Sequence, residues 1–515
     1  MKSPSRIGFT GERVLLFALV AAKLVLNLLL DQRYGYFRDE FYYLKLGEHV
    51  FDGPTAMPLL GPLLMALSRG VLGDSLIAMH VLPALAGAGV IVLTVWMARD
   101  LGGRLLAQGL AGIGALLAPA YVGVNSTFSY DSFDQLFWVA CLWVLVRLLQ
   151  RDKPRLWLAF GAAAGLGLFT KETMLFLGFA VALAFLLTPA RRHYMSGWMW
   201  AGAGISFLFA IPYLVMQAQM DWPCLDYWSR YGSLKTYAAS PLEFVWFQVA
   251  VMNPVSAPLW LAGLVWALGT ESGKPFRALG WAYLILVVLF VWLKVKFYFL
   301  VPMYAFLFAA GAAWIEGWAA RGSARMALRL YLGAMAVAGI VLAPYAMPLL
   351  PLETFLSMAR ATGGDLGVKQ ERHPTRALPQ HFADRFGWDE LARLVVAVYQ
   401  SLPPADRAKA CVFTANYGQA GAIEFFGRKL IPDLPPVLSA HGQYFFWGCG
   451  DCTGEVMILV GVPERDVARV FERYAEAART DCDYAMPYEN GRAIYVARGP
   501  KVPLAQAWPG LAHFD

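Results

Sequence analysis

Val14-Leu-Leu-Phe-Ala-Leu-Val-Ala-Ala-Lys-Leu-Val-Leu-Asn-Leu-Leu-Leu30 is an apolar run long enough to enter a bilayer, and it follows a basic stretch from Met1 to Arg13. A basic start before an apolar core resembles a secretion signal. However, no small-residue cleavage site precedes Asp31, where Leu28-Leu29-Leu30 stands instead. The segment therefore reads as a retained first membrane span. Immediately after it comes Phe37-Arg38-Asp39-Glu40, a charged cluster followed by Phe41-Tyr42-Tyr43. Carboxylates at the edge of a bilayer are not needed for insertion, so this cluster is the first candidate for a reaction centre at the membrane surface.

The rest of the chain repeats the first signal. Of 515 residues, 58% are hydrophobic and 15% charged, and the mean hydropathy is +0.49, well outside the range of soluble domains. A hydrocarbon core of about 30 Å needs roughly 20 apolar residues per helix. Eleven candidate spans meet or approach that length: 14–30, 75–98, 104–121, 133–149, 156–170, 173–188, 197–217, 250–269, 278–293, 298–318 and 327–349.

The formal charge of +7 does not point to nucleic acid, because the basic residues collect in short intervals between spans. Arg99 with Arg104, Arg147 with Arg151, Lys153 and Arg155, Arg191 with Arg192, Lys274 with Arg277, and Arg321 with Arg325 and Arg329 all fall on alternate loops. That pattern encodes orientation. It puts the amino terminus in the cytoplasm and the loop 31–73 outside, together with everything after Leu350. Within the loop, prolines at 54, 58 and 62 break an apolar stretch, so two helices near 38–51 and 58–72 are expected to lie along the interface.

Residues 351–515 change character. Strand-forming runs at 410–415, 455–461 and 493–497, with Val467, Val470, Phe471 and Tyr474 at helical spacing, predict a small α/β domain outside the membrane. Four of the six cysteines, Cys411, Cys449, Cys452 and Cys482, lie in it. An oxidising compartment permits disulfides among them; unpaired thiols, or half a zinc site at Cys449-Gly-Asp-Cys452, remain open alternatives. No internal repeat, broken helix, phosphate-cradling glycine loop or Ser-His-Asp set is visible.

Charged groups near the outer face form a short list: Arg38, Asp39, Glu40, Asp131, Asp134, Lys171, Glu172, Arg230, Lys294 and Lys296. Charge at a span is costly, so each is a functional candidate. Each also has a plain structural reading. Lys294 and Lys296 can snorkel, and Asp131 can cap a helix. Asp39 and Glu40 can favour a helix start; adjacent on a helix, they point about 100° apart, so only one meets a substrate.

Four stretches carry a family resemblance: Tyr34-Gly-Tyr-Phe-Arg-Asp-Glu-Phe-Tyr-Tyr43, Gly167-Leu-Phe-Thr-Lys-Glu-Thr-Met-Leu175, Lys296-Phe-Tyr-Phe-Leu-Val-Pro-Met-Tyr304 and Asn416-Tyr-Gly-Gln-Ala-Gly-Ala-Ile-Glu-Phe-Phe-Gly427. In order, they resemble bacterial membrane glycosyltransferases of family 39. That family is similar to protein O-mannosyltransferases, to the aminoarabinose transferase of lipid A and to rhizobial galacturonosyltransferases. The resemblance implies a GT-C fold, a polyprenyl-phosphate-linked sugar donor and a cell-envelope acceptor such as a glycolipid, lipopolysaccharide or protein. It implies Asp39 as catalytic base, with Glu40 an orienting or metal-linked neighbour should a divalent metal take part. Arg38, Lys171, Lys296 and Tyr298 would hold the donor phosphate, and Tyr42, Tyr43, Asp131 and Asp134 would support the loop or the acceptor. Departures at Pro54-Thr-Ala-Met-Pro58 and at His80 bear on substrate choice. The rival expectations are a transporter or flippase of lipid-linked sugars and an assembly subunit that binds through the α/β domain.

Overall fold

The computed structural model describes residues 6–151, 153–234, 236–319, 323–363, 368–369 and 371–514. Among them, seven helices are long and apolar enough to cross a membrane: Gly11–Leu30, Leu76–Asp100, Tyr130–Arg151, Gly197–Gln219, Lys274–Leu293, Phe297–Trp318 and Ser323–Ala346. Two bent pairs, Met174–Leu186 with Pro189–Met195 and Pro241–Val251 with Pro254–Gly269, bring the number to nine. The remaining two expected spans are the apolar helices Leu105–Leu117 and Leu156–Leu168, each of 13 residues. At 1.5 Å per residue such a helix is about 20 Å long, short of a full crossing.

The bends correct the expectation of unbroken helices. They turn by 110° and 96°, each just before a proline that cannot donate to the preceding turn. At the second, Asn253 takes φ 65° and its side chain accepts from the Val255 amide. Close helix contacts rest on small residues. A Cβ at Gly263 or Gly311 would overlap the backbone of the facing helix, which is how apolar helices pack without a hydrophobic gain between them.

Two interruptions matter for chemistry. Helix Leu156–Leu168 stops, and after five residues Met174–Leu186 begins, so Lys171 sits in a turn between helices. Helix Arg277–Leu293 ends at Lys294 in the left-handed region, and a 3-10 run, Phe297–Met303, precedes Tyr304–Trp318. Lys296 and Tyr298 therefore project from a break and not from a lipid-facing helix.

The first loop forms helices Arg38–Glu48 and Leu60–Leu72. The former buries Phe41, Tyr42, Tyr43, Leu44 and Leu46 and starts with Glu40 accepting the Phe37 amide at 2.7 Å. It packs on Tyr417–Leu430 of the C-terminal region, where a Cβ at Gly421 would lie 2.8 Å from Phe41 Cβ. The x-Gly-x-x-Gly spacing of Tyr417–Gly421 thus lets two helices of distant sequence meet.

The C-terminal region holds five strands: β1 Ala410–Thr414, β2 Val437–Ser439, β3 Val456–Val460, β4 Phe471–Arg479 and β5 Ala493–Pro500. Their order is β2-β1-β3-β5-β4; β1 is parallel to β2 and β3, and β5 is antiparallel to β3 and β4. One expectation fails. The helix Glu464–Val470 stops before Phe471, and Phe471 and Tyr474 lie in β4. Positions 467, 470, 471 and 474 suit one helix face, but β4 is a mostly exposed edge strand without the clean alternation that reveals a strand. Cys411 and Cys452 form a disulfide, which removes the half zinc site; Cys449 and Cys482 are free. No cluster of three metal-ligating side chains occurs among the described residues.

Candidate active site

Two adjoining cavities open where the first loop, the helix breaks and the C-terminal region meet, and Asp39, Arg38, Asp131, Lys296, Tyr298 and Glu371 line both. Asp39 is second in its helix, where the dipole favours a carboxylate. One third of its side chain is exposed. Its Oδ1 accepts from the Tyr417 hydroxyl at 2.8 Å and from Arg38 Nε at 3.2 Å.

Arg38, on the walls of both cavities, is held by the C-terminal region. Its Nη1 donates to the Tyr488 hydroxyl and lies 3.6 Å from Asp384 Oδ1, and its amide donates to the Asp384 carbonyl at 2.9 Å. Burial works against the Arg38 charge, and Asp384 with the neighbouring phenols more than offsets it. The guanidinium is committed to holding the loop against the C-terminal region, which leaves it a poor candidate for a free phosphate ligand.

Both candidate lysines line the second cavity with Tyr298. Lys171 Nζ donates to Asp131 and lies 4.4 Å and 4.5 Å from the ring centres of Phe299 and Tyr130. Lys296 Nζ donates to Glu371 Oε1 at 2.9 Å. Burial lowers the Lys296 pKa, and the Glu371 carboxylate more than restores it, which keeps the Lys296 cation charged. Snorkelling describes the exposed Lys294, which lines neither cavity; it does not describe Lys296. The pairing of Asp131 with Lys171 replaces its capping role. The Arg230 side chain lies outside the described residues.

Glu40 holds a different place from Asp39. It is fully buried, lines neither cavity, and accepts from the Phe128 amide at 2.7 Å while His80 Nε2 lies 2.8 Å away. Burial raises its pKa, but His80, Arg385 and the Phe128 amide together hold it below the usual carboxylate range. Glu40 is a buried brace that ties the loop helix to Leu76–Asp100, and His80 is its partner. Glu40→Gln should therefore lower stability by about 2 kcal/mol, the scale of a lost charged hydrogen bond, with transfer per folded molecule nearly intact. Wild-type melting with lost transfer would return Glu40 to the chemistry.

Asp134 also lies away from the cavities, accepting from Thr173 Oγ1 at 2.8 Å; it braces the turn that carries Lys171. Tyr42 accepts the Gln443 amide at 2.7 Å and stacks on Tyr417 with ring centres 4.5 Å apart. Tyr43 accepts the Tyr130 amide at 3.2 Å. Both tyrosines line the second cavity.

Residues 56–216 match the family described as dolichyl-phosphate-mannose-protein mannosyltransferase. A search of curated proteins found no match. Among solved structures, ArnT from Cupriavidus metallidurans bound to undecaprenyl phosphate aligns over 96% of this chain and 100% of that one, with TM-score 0.58 and 16% identity. The Archaeoglobus fulgidus oligosaccharyltransferase tethered with an acceptor peptide aligns over 81% of this chain and 63% of that one, with TM-score 0.50 and 10% identity.

The chain has the GT-C fold.

Within this GT-C frame, several residues of the site escape sequence reading. Tyr417, Glu371, Asp384 and Tyr488 reach the first loop or the lysines from the C-terminal region, and only the Asn416–Gly427 stretch gave any signal, by resemblance. Asp31 and Arg385 form a buried neighbourhood with His80, at 3.8 Å for each pair with Asp31. A charge directly after an apolar run was visible there; its partner, hundreds of residues away, was not. The family match begins after Asp39 and includes Lys171.

Proposed function

We propose that this protein is an inverting glycosyltransferase that moves a sugar from a polyprenyl-phosphate-linked donor to a hydroxyl of a cell-envelope acceptor, at the outer face of the bacterial cytoplasmic membrane. The observation that carries the reading is a part-exposed carboxylate, Asp39, between two cavities, with the buried Lys171 and the largely buried Lys296 both on the walls of the second. In the step, the acceptor oxygen attacks the anomeric carbon as Asp39 takes its proton. The bond from that carbon to the phosphate breaks, and polyprenyl phosphate departs with the electron pair. Lys171 and Lys296, helped by Tyr298, stabilise the charge that gathers on the phosphate. Asp131 and Glu371 are paired with those lysines, so neither is set as a covalent nucleophile, and a single base supports inversion. The fold shared with an ArnT bound to undecaprenyl phosphate supports a lipid donor.

The two bent helix pairs are also what a flippase of lipid-linked sugars would show. That reading expects the labelled lipid to cross the bilayer with no new glycosidic bond. Mass spectrometry of lipopolysaccharide and glycolipids from a deletion strain tests the proposal, which requires one species to lose a sugar residue.

The positive-inside pattern supports a cytoplasmic amino terminus and a periplasmic α/β domain. Ser323 opens helix Ser323–Ala346 and Ser357 lies in Leu352–Thr362, past that helix's other end, and both are exposed. In a background with Cys224, Cys449 and Cys482 replaced by Ser, a cysteine at 357 should react with a membrane-impermeant thiol reagent in spheroplasts and one at 323 should not. The reverse labelling would put Asp39 on the cytoplasmic side and end the proposal.

A further inference from the structure

Both hydrogen bonds to the Asp39 carboxylate fall on one oxygen, Oδ1. The donor from the C-terminal region, Tyr417, is fixed from every side. It opens helix Tyr417–Leu430, whose start is capped by Asn416 Oδ1 accepting from the Gln419 amide at 3.0 Å. Asn416 and Gln419 donate in turn to the buried Glu489, at 2.8 Å and 2.6 Å. The Tyr417 ring lies between Tyr42, stacked at 4.5 Å, and His441, also at 4.5 Å. His441 stacks on His513 at 4.6 Å, and the His513 segment is tied to this wall by Gly442 N to His513 O at 3.0 Å and His513 N to Ala440 O at 3.1 Å. Gly421 against Phe41 sets how closely the helix approaches Asp39. The hydroxyl therefore has little freedom to point elsewhere.

We propose that Tyr417 is a positioning residue for the transfer: by engaging Oδ1 it turns Oδ2 toward the cavity as the atom that takes the acceptor's proton, so that the α/β domain completes the catalytic base. This rests on Asp39 being that base. In the step, the acceptor O–H proton moves to Oδ2, the freed electron pair forms the bond to the anomeric carbon, and the Tyr417 O–H stays on Oδ1 throughout. Burial raises the Tyr417 pKa well above the usual phenol range, so the phenol keeps its proton at any working pH and acts as a donor only. The α/β domain then does more than bind: undocking it removes the constraint on the base. An assembly-subunit role would need no such contact.

Tyr417→Phe is the test, because it keeps the ring between Tyr42 and His441 and deletes only the hydroxyl. With the full-length protein in nanodiscs and a synthetic polyprenyl-phosphate sugar, kcat should fall about tenfold, the scale of one hydrogen bond to a charged group. KM for donor and acceptor should stay within about twofold of wild type, and the melting temperature should not change, because the lost contact orients a reacting group and binds neither substrate. The other charged groups facing this space, Arg38, the Lys171–Asp131 and Lys296–Glu371 pairs, Glu172 and His441, are the same in both proteins. Wild-type kcat, a loss confined to KM, or a loss that tracks a lower melting temperature would each overturn the inference. A dead Asp39→Asn beside a fully active Tyr417→Phe removes Tyr417 alone; an active Asp39→Asn removes the base itself.

Discussion

Asp39→Asn should leave a folded, inserted protein with less than about one hundredth of the wild-type transfer rate, since a general base contributes roughly 10²- to 10⁴-fold. The substitution separates chemistry from structure at this position. An amide oxygen can still accept from Tyr417 and Arg38, which both address Oδ1. The change falls on the other atom, where an NH₂ group that cannot accept a proton replaces Oδ2. Arg38 keeps its contacts with Asp384 and Tyr488, so the loop remains docked. Transfer from a polyprenyl-phosphate sugar by purified protein, with melting temperature followed in parallel, measures both. Retention of more than about a tenth of the rate would sit below the smallest usual contribution of a base and would remove Asp39 from the chemistry.

The second large effect is expected at the lysines. If Lys296 meets the donor phosphate, Lys296→Met should weaken donor binding by about 1.5–3 kcal/mol, the range for hydrogen bonds to charged groups, and Lys296→Arg should lose less. Lys171→Met should act in the same direction. In the structure the two cations rest on Asp131 and Glu371, whose carboxylate oxygens stand where phosphate oxygens would compete. This complicates a simple reading, because Lys296→Met also leaves the buried Glu371 carboxylate without that cation, and a stranded buried charge destabilises. The companion Lys296→Met/Glu371→Gln removes that penalty. The double variant should recover melting temperature and still bind donor weakly. Donor affinity at the wild-type level in both Lys171→Met and Lys296→Met would mean that these residues only pair with carboxylates, and would return attention to Arg38.

The membrane architecture was legible because its cause is local. Every apolar run from 14–30 to 327–349 proved to be an apolar helix, since burying a backbone in hydrocarbon demands helix and about 20 apolar residues supply it. The two bends after Leu186 and Val251 were missed, although Pro189 and Pro254 stood in plain view, because a proline in a connection reads as a loop until the helix on each side is known. Strands β1, β3 and β5 were legible as β-rich runs, and β4 was not, because its solvent-facing residues follow no single period.

For the site, the chain by itself determined which charges stand where charge is expensive, and so marked Asp39, Lys171 and Lys296, and through the resemblance it marked their order. Without the resemblance, it could not say which carboxylate of the adjacent pair faces a cavity. Asp39 and Glu40 differ in sequence context by one position, and only the packing of helix Arg38–Glu48 turns one toward the cavities and the other onto His80 and the Phe128 amide. Nor could it pair Asp39 with Tyr417, 378 residues away, or Lys296 with Glu371, 75 residues away. Hydropathy and helix start signals act over a few residues and are written in each segment. The partner of a buried charge is chosen by how whole elements dock, which here depends on Gly421 admitting Phe41 and on two helix breaks, and that choice exists only in three dimensions.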